Sequence, residues 1–205
     1  MKMFRSILSL MLLLGATFAQ QTSGPPSLPA GLPPTGPLKP VVSAPVEERR
    51  LANGMSLWMV QRSELPKVVL TLVVRGGDSI DPPAAPGLSR LMSGTVTQGT
   101  TTKSSREIAE AAEGTGGDLS ATVDGDCVRI SLNALTEHAM DAVALIADVA
   151  QNANSPDNEV ALAKSNMEDE LRSNEAKPRF LARRAWYQVT YGDHPYHIVG
   201  EHEDP

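Results

Sequence analysis

Residues 68–100 read VVLTLVVRGGDSIDPPAAPGLSRLMSGTVTQGT, and the fold turns on this stretch. Val68 to Val74 is apolar at every position but Thr71, so it predicts a strand covered on both faces and placed centrally in a sheet. Gly76-Gly77 and the cluster Pro82, Pro83 and Pro86 end that pattern, because proline has no N–H to give a ladder and a fixed φ. Beyond them a helix is expected from Gly87 to about Gln98.

Upstream, the turn pair Asn53-Gly54 precedes Met55 to Val60, whose alternation predicts another strand. Downstream, Ser104 or Ser105 can cap a helix from Arg106 to Glu113, which Gly114, Gly116 and Gly117 stop. Leu119 to Val123 and Cys127 to Leu132, joined by Asp124-Gly125-Asp126, predict a hairpin. Thr136 to Ala150 reads as an apolar helix, with Met140 in its core stripe. Pro156, Asp157 and Glu159 open a helix to about Asn174, and Pro178 opens the next, Arg179 to Val189. Adjacent strands and grouped helices indicate an α+β fold, mainly an antiparallel sheet with helices packed on one side.

The ends are of another character. Lys2 and Arg5, an apolar run from Ile7 to Leu14 and small residues up to Ala19 have the layout of a secretory signal peptide over residues 1–19. The run is shorter than the ~20 residues that span a bilayer, so no membrane span is expected after cleavage. Export of bacterial type, to the periplasm or outside the cell, is the expected localisation. Residues 20–47 are proline-rich and read as a semi-extended linker. Residues 48–205 remain for one domain, enough for a compact core. Cys127 is the one cysteine, so no disulfide closes within the chain. Loss of Lys2 and Arg5 takes the formal charge from −6 to −8, which argues against nucleic acid as a partner.

Several short strings resemble the pitrilysin/insulinase family of zinc metallopeptidases, which includes the mitochondrial processing peptidases. They are Leu51-Ala52-Asn53-Gly54, Leu65-Pro66, Arg75-Gly76-Gly77, Asp81-Pro82-Pro83, Gly87-Leu88, Gly99-Thr100, Gly116-Gly117 and His194-Pro195-Tyr196. Their order and spacing carry the resemblance from about Arg50 to the C-terminus. It implies an H-x-x-E-H motif on the helix after Gly87-Leu88, two imidazoles one turn apart holding zinc and a glutamate activating its water. Laid between Gly87-Leu88 and Gly99-Thr100, the motif falls on Arg90 for the first histidine, Ser93 for the glutamate and Gly94 for the second histidine. All three are replaced. The family's third ligand, a glutamate eight residues before a proline, falls on Glu170 before Pro178.

The replacements remove the chemistry. Arg90 has no lone pair for a metal, Gly94 no side chain, Ser93 no carboxylate, and one carboxylate cannot supply the three or four ligands zinc takes. No metal-binding or catalytic residue, and no bound zinc, is therefore expected. Glu170 reads as a solvated carboxylate or as a partner for Arg90. Other groups fare no better. His194, His197, Glu201 and His202 have donor atoms for a replacement site, but His-Pro-Tyr belongs to the family scaffold. His138 reads as a surface residue, Cys127 as a small buried apolar one, and Ser93 lacks a base to make it a nucleophile.

The resemblance also implies a further helix and strand to complete the sheet, so residues 48–205 are expected to be a truncated N-terminal domain. The leading expectation is a non-catalytic subunit that partners an active zinc peptidase of the same family and holds extended peptides. The alternatives are a zinc metalloendopeptidase with non-standard ligands and a remnant without independent function.

Overall fold

A computed structural model describes residues 43–62 and 64–199. The expected signal peptide and residues 20–42 of the expected linker lie outside the described residues, as do Glu201 and His202. The chain divides into two compact units, one ending at Val60 and the other beginning at Gln61.

The first unit contains a hairpin of β1 (Val46–Arg50) and β2 (Ser56–Val60), antiparallel with Val46 opposite Val60 and Arg50 opposite Ser56. Gly54 takes the left-handed turn position at φ 87°, and the Asn53 side chain accepts the Met55 N–H at 3.1 Å. The linker assignment to residue 47 is corrected here, since Val46 and Glu47 are already in β1. From Val46 to Val60 every residue has an N–H to give, and the turn folds β2 back to pair with β1.

In the second unit, β3 (Lys67–Arg75) leads through a single 3₁₀ turn at Asp78–Ile80 to α1 (Leu88–Thr95) and α2 (Ser105–Gly114). A hairpin of β4 (Leu119–Val123) and β5 (Cys127–Leu135) follows, then α3 (Ala139–Asn152), α4 (Asp157–Glu175), α5 (Pro178–Tyr191) and the short α6 (Tyr196–Val199). The three strands form an antiparallel sheet in the order β3-β5-β4. This is the α+β arrangement expected.

The central strand is β5, not β3. Val128, Ile130, Leu132 and Ala134 of β5 are all buried, whereas Val69 and Val73 of β3 are 68% and 54% exposed. An apolar run cannot reveal that only its alternate residues, Val68, Leu70 and Leu72, face the core. That inner face packs against Ile108 and Ala112 of α2 and Ala142, Leu145, Ile146 and Val149 of α3. Leu132 and Val149 are fully buried, each worth about 2 kcal/mol relative to exposure. Met140 does not join them. It lies 76% exposed, because the first turn after Leu135 is 3₁₀ and α3 begins only at Ala139.

Ser104 is the cap of α2. Its hydroxyl accepts the Glu107 N–H while the Glu107 carboxylate accepts the Ser104 N–H at 2.8 Å, a reciprocal box that satisfies two donors at the helix start.

Candidate functional site

The eight residues of α1 are too few to be stable alone, so its position depends on what holds it. Gly87 precedes it at φ 84°, a left-handed value that brings the chain sharply off the proline loop. The Asp81 carboxylate then accepts both the Ser89 N–H at 2.9 Å and the Ser89 hydroxyl at 2.6 Å. At the other end, the Ser155 hydroxyl donates to the Thr95 carbonyl at 2.8 Å, next to Pro156 at the start of α4. Between these ties α1 lies against α4 and β4.

This seating brings Arg90 and Glu170 together, as a pairing across the two helices requires. The guanidinium Nη2 stands 3.1 Å from the carboxylate Oε1, with the two side chains 27% and 46% exposed. Ser93 does not reach Glu170. Its hydroxyl turns back on its own helix and donates to the Arg90 carbonyl at 2.9 Å. At Gly94 a Cβ would meet nothing within 4 Å, so the space beside the helix there is open.

A cleft of about 470 Å³ lies between the loop of residues 84–87, α1 and α4. Leu88, Leu91, Met167 and Leu171 give it an apolar wall, and Arg90 and Glu170 stand among its polar lining. Sequence reading missed Met167 and Leu171. The signal was present, since Lys164, Met167, Glu168 and Leu171 recur at the three- and four-residue spacing of one helix face. What was lacking was any sign that this face borders a cleft.

The donor set tests whether zinc fits these positions. A guanidinium, a hydroxyl already donating to backbone and a bare glycine supply no imidazole, and the remaining carboxylate is engaged with a cation. The four residues do not fit zinc. Among the described residues no group of three or more His, Cys, Asp or Glu side chains is arranged to hold a metal ion. His194 instead sets its ring edge-on to Tyr196 at 4.8 Å, and the His197 ring nitrogen Nδ1 lies 2.8 Å from the His194 carbonyl oxygen. His138 is on the surface beside Asp141.

Cys127 is buried, and burial together with a hydrogen bond to Asp124 pushes its thiol up. That makes it a poor nucleophile. Partial burial would raise the neighbouring Asp124, yet the N–H groups of Asp126 and Cys127 and the Arg129 guanidinium outweigh it and hold the carboxyl down to about 2. Asp124 thus serves as the anchor of the β4–β5 turn.

The family pattern described as Insulinase (Peptidase family M16) matches residues 59–199. The uncharacterized zinc protease YmxG of Bacillus subtilis is 27% identical over 153 residues, 74% of this chain and 37% of that protein. An uncharacterized zinc protease of Rickettsia bellii is 23% identical over 146 residues, 71% of this chain and 35% of that protein. Among solved structures, the peptidase M16 inactive domain from Pseudomonas fluorescens superposes with a TM-score of 0.72 at 28% identity, over 76% of this chain and 38% of that one. Pitrilysin superposes at 0.63 and 20% identity, over 76% and 17%. The chain therefore spans little more than a third of the length of the Bacillus and Pseudomonas relatives. With the pattern covering most of the chain, and the fold superposing on a solved domain of the same family, this protein belongs to the insulinase family of peptidases, M16.

Proposed function

We propose that this chain is an exported, non-catalytic member of its family that holds extended peptides as the companion of an active zinc peptidase of the same family. The observation that carries the reading is the Arg90–Glu170 ion pair. It occupies the positions where the family's motif would supply a metal ligand from each helix. A guanidinium neither ligates a metal nor takes a proton from water at ordinary pH. The name of the Pseudomonas structure, an inactive domain of the same family, is in keeping with this.

Peptide holding has its own basis. In the sheet order β3-β5-β4, β4 is a terminal strand, and α1 packs beside it. An extended peptide adding to β4 would gain main-chain hydrogen bonds and lie near the cleft. The zinc-protease names of the Bacillus and Rickettsia relatives favour a second reading, cleavage with ligands recruited elsewhere.

One experiment separates the two. The purified chain is loaded with zinc, dialysed against metal-free buffer and assayed for metal content, for cleavage of an unstructured peptide and for its binding. The expected result is no retained zinc, no cleavage and measurable binding. One zinc per chain, lost in Glu170→Ala, together with cleavage, would establish the second reading instead.

A further inference from the structure

The failure of the donor set to fit zinc leaves a mechanical question, namely what holds the middle of α1 against α4. Asp81 and Ser155 tie its two ends. Between them, among the described residues, Arg90 of α1 bonds the side chain of Glu170 of α4, 80 positions away. Leu91, Met167 and Leu171 line the cleft alongside. An eight-residue helix crossed by a cleft loses packing on that side, so a polar link there has a larger share in fixing it.

We propose that the Arg90 guanidinium is a built-in cation that clasps α1 to α4 through Glu170, doing without any metal the bridging that a bound ion would do between the same two helices. The positive charge is tethered to the chain, so it cannot be lost to a chelator. The shape of the cleft then depends on the clasp and not on metal supply. This inference does not rest on peptide holding, since a chain with the clasp and no affinity for peptides would sink that reading and leave this one.

The test is a charge-swap cycle on the full chain, with thermal midpoints recorded with zinc, with EDTA, and at low and high salt. Arg90→Glu and Glu170→Arg should each lower the midpoint, and the double swap should recover most of the loss. Zinc and EDTA should leave the wild-type midpoint where it is. Should the reversals not fold, Arg90→Met, which keeps the stem's packing, and Glu170→Gln supply the milder arm. Each should lower the midpoint and reduce its dependence on salt. A double swap no better than the summed single losses would overturn the proposal, as would mild variants with unchanged midpoints. So would a wild-type midpoint that rises with zinc.

Discussion

Gly94 and Gly117 are the same residue under opposite constraints. A Cβ on Gly117 would sit 1.8 Å from the Asn133 carbonyl oxygen, inside the β5 backbone, whereas one on Gly94 would meet nothing within 4 Å. Gly117→Ala is expected to cost about 3 kcal/mol or more through the forced backbone shift. Gly94→Ala should stabilise by about 0.5 kcal/mol, because alanine restricts the unfolded chain and suits a helix. Urea titrations of the two variants check both signs. The glycine cluster at residues 114–117 was legible as a helix stop, but the close approach of Asn133 was not, for nothing local marks it. Arg90 and Glu170 were matched only through the family's spacing. Their meeting required α1 to be seated on α4.

At the scale of elements, Asp148 shows how a loop is fastened to a helix. Near the end of α3 it accepts hydrogen bonds from Asn152 and Thr100, and the Lys103 ammonium stands 2.9 Å away. The Asn152 amide and then Lys103 hold its carboxyl down to about 2, against an ordinary value of 3.8. Because the folded value is the lower, the contribution is complete above pH 3.8 and is lost as pH falls through about 2. Asp148→Asn should therefore have a lower thermal midpoint at neutral pH, and the gap from wild type should close between pH 3.8 and about 2. A gap that stays constant down to pH 2 would show that the charge of Asp148 contributes nothing. Elements of strong local signal were readable in advance, including the β4–β5 hairpin, a serine cap at Ser104 or Ser105, which the structure places at Ser104, and the proline-led starts of α4 and α5. The rank of β3 was not, because central and edge strands of the same apolar content differ only in their neighbours. Strand β1 was missed because Val46 is followed by four charged residues with no alternation, and the partner that pairs it lies beyond the turn.

Over the second unit, stability rests on one layer of contacts between the inner face of the sheet and helices α2 and α3. Leu132 is fully buried there on the central strand, so Leu132→Ala should cost about 3 kcal/mol, transfer and cavity together. A denaturant titration followed by circular dichroism and by Trp186 fluorescence in a Trp58→Phe background measures it. A loss below about 1 kcal/mol would mean that the core collapses readily around the gap. The sequence by itself determined the α+β class, most element positions, the family and the absence of imidazole from the expected motif. Those follow from local periodicity, turn chemistry and residue identity, which are written along the chain. Tertiary structure alone decided that β5 is central, that Met140 faces solvent, that α1 and α4 border a cleft, and that Arg90 reaches Glu170. Each of these depends on which surfaces are brought together, and a linear pattern carries the faces of an element but not what lies against them.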